Sequence, residues 1–377
     1  MESNTPPPFA APPPFQSPPP IIVPPRTTPP RKNRGWMVIA IILFLLLGVS
    51  VMAHLSHMFK SFAHLGGTHQ RSSGPRLEEV VLEDNEASEK IAVIPIEGII
   101  SGELSGRGGY SLVDVVKAQL DRAEDDKKVK AVILKVDSPG GEVMASDEIA
   151  RAITEFQSHA GKPVIVSMGS LAASGGYYVS APCEWIVANE LTITGSIGVI
   201  MHGFNYRGLM DKVGLVPEVY KSGKFKDMMS GSREPDAITP EERAMVQKLI
   251  DETFAKFKSV VAEGRKSAHE SNQDGQELAA DWADYADGRV LSGKEAFKLG
   301  FVDKIGTFED AQAKAEELGG IKNNKANLIE YRPRNDLADL FSLFGQSESR
   351  AFKVDLGLDL PKLQAGRMYF LSPLFLR

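Results

Sequence analysis

Cysteine is almost missing from these 377 residues: Cys183 is the only one. An intrachain disulfide is therefore impossible, and cysteine-based metal sites are excluded. Cys183 itself sits in a Pro-Cys-Glu-Trp context with no evident base beside it, which reads as a packed core thiol rather than a nucleophile. An excess of positive charge is also lacking. The net charge is -6, and the only basic block lies near the N-terminus, so nothing points to a nucleic-acid partner. Histidine is thin as well, with seven in all and only His159, His202 and His269 inside the presumed folded region. A Ser-His-Asp arrangement has few places to draw its base from. No metal ion or cofactor is called for.

Proline is not scarce but uneven, with 13 of the 24 in the first 30 residues. Such a leader, 1–34, tends to polyproline II and cannot pack a core. Arg31, Lys32 and Arg34 follow, and then Trp36 to Ala53 runs 18 residues without a charge. That is about the least that spans a bilayer as a helix. Basic residues before the span place the N-terminus in the cytoplasm and the rest of the chain outside. A cleavable signal peptide ending at Val51-Met52-Ala53 is the competing reading. The long proline-rich leader favours a retained single-pass anchor over 35–54, followed by a polar linker, 55–89, that closes with a short helix.

Order is expected from Ile91 to Ile100, an apolar strand distorted at Pro95 and Gly98. Ser111, with Asp114 three places on, opens a helix. Val129 to Val136 is a second strand, continuously apolar at its centre from Ala131 to Leu134, the pattern of burial on both faces. Asp137-Ser138-Pro139-Gly140-Gly141 leads into a helix over 143–156, and a third strand, Pro163 to Met168, leads into Gly169-Ser170-Leu171-Ala172-Ala173-Ser174-Gly175-Gly176-Tyr177-Tyr178. Trp185 to Ala188 is a fourth strand. The alternation predicts an α/β fold with parallel strands, its ligand site at their carboxyl ends and the two glycine-rich turns side by side there.

Small residues around Ser174 permit a sharp strand-to-helix turn. On such a turn the Gly175 amide can face a developing oxyanion, and the helix N-terminus favours negative charge. The plainer alternative is a turn serine that caps the helix. Downstream, Thr194-Gly195-Ser196-Ile197-Gly198-Val199 puts Ser196 between glycines. Val216 to Phe225 reads as a strand entering a lysine-rich segment. The longest helix opens at a capping box of Thr239 and Glu242 with Pro240 at its first position. Asp287-Gly288-Arg289-Val290 is a turn, Gly293 to Leu299 a short helix, and the chain from about Asn323 is less regular, apolar at Met368 to Leu376.

If Ser174 is a nucleophile it needs a base. His202 has no orienting carboxylate among its neighbours. A lysine must be neutral to accept the proton, and bringing an amine from its usual value near 10.4 to neutrality means a shift of about three units, roughly 4 kcal/mol, which desolvation can supply. Lys221, Lys224 and Lys226 are the candidates. In an extended segment Lys224 and Lys226 share a face, and periodicity does not choose between them.

Taken together, Asp137 to Gly141, Ala172 to Tyr178, Thr194 to Val199, and Gly223-Lys224-Phe225-Lys226-Asp227 resemble the signal peptide peptidase A family of membrane-bound serine proteases, peptidase family S49. The resemblance runs from about Lys90 to Ala315 and includes Asp287-Gly288-Arg289-Val290 and Gly300-Phe301-Val302-Asp303, in order. It implies Ser174 as nucleophile, Lys226 as general base, Ser196 as a serine that positions the lysine, and the amides of Gly141 and Gly175 as oxyanion hole. It implies a crotonase/caseinolytic-protease-like repeated ββα fold over 90–320 with a C-terminal extension, 321–377. Each motif occurs once, which resembles the half-length form, where serine and lysine of one site come from neighbouring subunits of a ring-like homo-oligomer. The implied activity is endopeptidase cleavage of signal peptides and similar hydrophobic segments at the outer face of the membrane, in a small apolar pocket for the acyl-side residue and a second pocket two residues before it. The apolar C-terminal end could mimic substrate in a neighbour's cleft. The alternative is an anchored crotonase-fold scaffold or acyl-thioester-binding protein, which explains the paired glycine turns but not Lys226 and Ser196.

Overall fold

A computed structural model describes residues 74–104, 109–334 and 367–372, together with Phe44 and Leu47. The chain divides into two compact units, Met1–Arg71 and Ser72–Arg377. The proline-rich leader and the apolar span lie outside the described residues, apart from helical Phe44 and Leu47. Among the described residues no helix is long and apolar enough to cross a membrane.

In the second unit the elements run β1 (Leu77–Glu83), β2 (Lys90–Glu97), α1 (Leu112–Asp125), β3 (Val129–Ser138), β4 (Gly140–Glu142), α2 (Val143–Ala160), β5 (Val164–Ala173), α3 (Gly175–Ser180), β6 (Trp185–Ala188), β7 (Ile193–Gly195), β8 (Ile200–Met201), α4 (Arg207–Lys212), α5 (Pro240–Ser271), β9 (Val290–Ser292), α6 (Gly293–Lys298), β10 (Lys304–Ile305), α7 (Phe308–Leu318), β11 (Asn327–Pro333) and β12 (Met368–Leu371). The main sheet is ordered β1-β11-β2-β3-β5-β6-β10, and β7 branches from the end of β5 to pair with β9. Its centre is parallel: β11 with β2, β2 with β3, β3 with β5, and β5 with β6.

Alternating side chains of the central strands enter different cores. Ala92, Ile94 and Ile96 of β2 join Val132, Leu134 and Val136 of β3 under α1, α2 and α3. Ile91 and Val93 turn to the other face with Ile133, Ile165 and Ala311 and Ala315 of α7. A strand buried on both sides has no polar face to alternate, which is why these runs are continuously apolar. The caps follow the sequence. Ser111 Oγ accepts from Asp114 N at 3.2 Å while the Asp114 carboxylate accepts from Ser111 N at 3.0 Å, and Thr239 and Glu242 repeat the arrangement at the start of α5.

Three expectations fail. The stretch before Lys90 ends in a strand, β1, antiparallel to β11, rather than in a short helix. β11 lies where an irregular tail is expected, and inserts beside β2. Val216 to Phe225 is not a strand: among the described residues no segment pairs with it in a ladder, and a lone strand leaves its backbone groups unpaired. It belongs instead to an outlying stretch with exposed Phe204 (78%), Val216 (77%) and Tyr220 (92%).

Candidate active site

β5 runs on past Met168 to Ala173, and its last three residues pair with β7, Ala173 opposite Gly195. Ser174 follows at φ 53°, ψ -113°. A non-glycine residue held there costs on the order of 1–3 kcal/mol and persists only when both flanks are fixed. They are: Ser174 N donates to Gly195 O at 2.8 Å, and Ser174 O accepts from Tyr178 N at 2.8 Å as α3 begins. The residue is 1% exposed, and its hydroxyl makes no hydrogen bond among the described residues.

The second glycine-rich turn packs against this elbow, as expected. Ser138 pairs with Ala172, and Ser138 Oγ accepts from Gly140 N at 3.1 Å. Gly140 adopts φ 99°, and a Cβ there would strike the Phe370 carbonyl oxygen and lie 2.5 Å from Gly175 N. A Cβ on Gly175 would lie 3.0 Å from both Gly140 Cα and Gly141 N. Glycine is needed at both positions because two backbones and the tail strand meet there. The amides of Gly141 and Gly175 thus sit together next to Ser174.

Ser196 mirrors Ser174 across the β5–β7 pair. It is one residue beyond Gly195, has φ 51°, and is 3% exposed. The Asp287 to Val290 turn holds it: Ser196 N donates to Arg289 O at 2.7 Å, Gly288 N to Ile197 O at 3.0 Å, and Gly195 pairs with Val290. The Arg289 side chain is itself pinned by Asp287 at 2.6 Å, which pulls the Asp287 carboxyl down to about 2.

Lys226 lies elsewhere, exposed in the turn after Gly223. Lys221 pairs with Asp227 at 2.7 Å and Lys224 with Glu241 at 2.6 Å, whereas the Lys226 ammonium makes no hydrogen bond or ion pair among the described residues. No hydrogen bond joins it to Ser174 or Ser196 within the chain. His202 is exposed and stands edge-on to Phe204, with no hydrogen bond to Ser174. Cys183 is fully buried, its thiol pushed upward by desolvation, as a core residue's would be.

Two features of the site are not legible in the motifs. Beside the elbow, Tyr178 and Phe257 of α5 enclose the ring of Phe370, with centroids 4.8 and 4.6 Å away. Tyr178 donates to Asp147 at 2.8 Å, and burial followed by that carboxylate keeps the phenol protonated. Behind α3, Arg265 of α5 and Asp303 form an ion pair at 2.5 Å with side chains 0% and 2% exposed. Asp303 also accepts from Ile186 N at 2.8 Å and Gln276 N at 3.1 Å, and Arg265 donates to Cys183 O at 2.9 Å. This gives the Asp303 of the Gly300 to Asp303 motif a supporting role under the site.

A strained serine between two glycine turns at the carboxyl end of a parallel sheet is a hydrolase arrangement, and the comparisons place it among peptidases. The sequence model of peptidase family S49 matches residues 156–322. A putative signal peptide peptidase of Enterococcus faecium is 35% identical over 312 residues, 80% of this chain and 85% of the relative. A putative protease of Methanocaldococcus jannaschii is 40% identical over 240 residues, 63% of this chain and 70% of the relative. Protease 4 of Haemophilus influenzae is 38% identical over 239 residues, 63% of this chain and 36% of that longer protein. The chain belongs to peptidase family S49, the signal peptide peptidase A family.

Proposed function

We propose that the protein is a membrane-anchored serine endopeptidase with a Ser174–Lys226 dyad, a crotonase/caseinolytic-protease-like ββα core, and signal peptides or similar apolar segments as substrates. The observation that carries the reading is the strained Ser174, a buried serine held at φ 53° on the elbow against which the Gly140–Gly141 turn packs. Ser174 Oγ attacks the scissile carbonyl carbon and its proton passes to neutral Lys226 Nζ. The two amides stabilise the oxyanion, a pair of donors each worth about 10²–10³ in rate. As the C–N bond breaks, Lys226 returns the proton to the leaving amine, and water then hydrolyses the acyl-serine with the lysine again as base.

Lys226 cannot act while bathed in water, because a base of this kind depends on desolvation. Its exposure, and the run of exposed apolar side chains at Phe204, Leu209, Val213, Val216 and Tyr220, favour completion of each site by a neighbouring subunit of a homo-oligomer. Ser196 then lies where an incoming ammonium is received and oriented. The charge-free span over 36–53 with basic residues before it supports a retained anchor, the N-terminus in the cytoplasm and the catalytic unit outside.

The test is fluorophosphonate labelling of the detergent-solubilised oligomer of wild type, Ser174→Ala and Lys226→Ala. Labelling in wild type that vanishes in both variants is expected. Full labelling of Lys226→Ala would remove the dyad, and inertness of all three in the assembled state would favour the non-proteolytic scaffold.

A further inference from the structure

The turn that bears Lys226 is exposed, yet its backbone is cross-tied along its length. Lys226 N donates to Gly223 O at 3.2 Å, Met228 N to Phe225 O at 3.0 Å and Ser230 N to Asp227 O at 3.1 Å, and Met229 turns at φ 68°. The stretch before α4 grips the far end of the turn, with Tyr206 N donating to Gly231 O at 2.8 Å and Asn205 Nδ2 to Arg233 O at 2.9 Å. Arg233 then fastens the turn to α5. Its guanidinium donates to the Glu242 carboxylate at 2.5 Å and to Ala237 O at 2.6 Å.

Charges of this corner pair among themselves. Arg207 serves Asp211 at 2.7 Å and Glu234 at 2.9 Å, and Lys224 serves Glu241 at 2.6 Å. Asp227, next in the chain to Lys226, is the carboxylate placed to hold the lysine as an ammonium, because an anion within about 4–6 Å favours the charged form of an amine. It is engaged elsewhere. Lys221 meets it at 2.7 Å and the Arg233 guanidinium faces it at 3.7 Å. The Lys221 hydrogen bond, with Arg233 beside it, holds the Asp227 carboxyl below its ordinary value. The side chains of Asp227 and Arg233 are 14% and 16% exposed, against 36% for Lys221 and 66% for Lys224, so water screens their pairing least.

We propose that Asp227 and Arg233 are positioning residues for Lys226: Arg233 fastens the lysine turn to the start of α5 and, with Lys221, keeps the Asp227 carboxylate occupied, so that the Lys226 amine is offered uncommitted to the serine of its site. The inference rests on the serine-lysine reading above. A base misplaced by about 1 Å can cost on the order of 10²-fold in rate, so a turn that delivers a lysine across a subunit boundary gains from a rigid footing. The amine must also shed its proton before it takes that of Ser174, which an occupied carboxylate permits and a free one opposes.

The experiment follows the fluorophosphonate labelling rate against pH on the detergent-solubilised oligomer of wild type, Asp227→Asn and Arg233→Met, with Ser174→Ala and Lys226→Ala as blanks. In wild type the rate should rise with pH as the base loses its proton. Asp227→Asn is expected to move that limb to lower pH, since two cations beside the lysine lose their counter-charge, and Arg233→Met to higher pH, each by about half a unit. The plateau rate should fall about tenfold in both, because the turn loses its tie. Opposite shifts are a signature that loosened packing does not produce: a corner that only supported the fold would lower the amount of active enzyme and leave the limb in place. Asp227→Asn is nearly isosteric and decides the matter alone if Arg233→Met does not assemble. An unmoved limb in Asp227→Asn, with both blanks silent, would overturn the positioning role and leave the dyad standing. Labelling of Lys226→Ala along the wild-type limb would overturn the dyad and the positioning with it.

Discussion

The amide of Ser174 donates to the carbonyl of Gly195 at 2.8 Å, so the candidate nucleophile and the loop bearing Ser196 are one backbone unit. Ala173 and Gly195 are the last paired residues of β5 and β7, and the serine that follows each has positive φ. Two serines on mirrored turns thus keep their spacing with no hydrogen bond between them.

Gly140 is the position where a single methyl does most harm. In Gly140→Ala the new Cβ would collide with the tail carbonyl or a substrate's and crowd Gly175 N, at a φ that L side chains resist. Peptide hydrolysis should fall by at least about 10²-fold, the worth of one oxyanion donor. Near-wild-type kcat/KM would show that these amides are not the oxyanion site.

Among the described residues Lys221 and Lys224 each make an ion pair and Lys226 makes none. Lys226→Ala should abolish turnover, while Lys221→Ala and Lys224→Ala lose surface pairs worth less than about 1 kcal/mol and should keep most activity. Mixed oligomers of Ser174→Ala and Lys226→Ala subunits, each inert alone, should regain hydrolysis when reassembled together. No recovery would count against sites shared between subunits.

Asp303→Ala would leave Arg265 charged, buried and without its carboxylate. Breaking such a pair costs about 3–5 kcal/mol, enough to lower Tm by roughly 10 °C. Arg265→Met with Asp303→Leu should recover much of the loss, because the desolvation penalty disappears with both charges. Calorimetry of the three proteins decides the matter, and a Tm change under about 2 °C in Asp303→Ala would refute the supporting role.

Glu242, at the start of α5, is held down to about 2 by Arg233 at 2.5 Å and then by Thr239. A carboxyl depressed on folding stabilises the native state fully above its unfolded value of about 4.3 and loses that contribution as pH falls toward 2. Acid titration should therefore loosen the Arg233–Thr239 corner between about pH 4.5 and 2, visible by hydrogen exchange in the first turn of α5. Glu242→Gln should loosen the same turn at neutral pH and flatten the dependence.

The sequence made the interior of the sheet legible because strand segments buried on both faces must be apolar, as Ile91 to Ile96, Ala131 to Leu134 and Val164 to Val166 are. It hid the margins. β1 reads Leu-Glu-Glu-Val-Val-Leu-Glu, mostly exposed at the sheet's edge, and its charges resemble a linker's. β11 is recognisable only through its partner, β2, more than two hundred residues earlier. Ser174 and the glycine turns announce themselves because special backbone angles restrict residue type. Phe370 does not, since one aromatic in a short apolar tail carries no mark of the slot it fills.

Helix α5 deserves a mechanical reading. It begins at Thr239, where the outlying stretch of exposed apolar side chains ends, and runs 32 residues without a break. On the way it supplies Thr253 and Phe257 to the tail strand and Arg265 to the buried carboxylate behind the elbow. At 1.5 Å per residue the cap and Phe257 are about 27 Å apart on one stiff rod. Tension or torque applied at its outer end reaches the aromatic cluster around Phe370 without an intervening joint, so the helix can serve the molecule as a strut between its periphery and the packing beside the elbow.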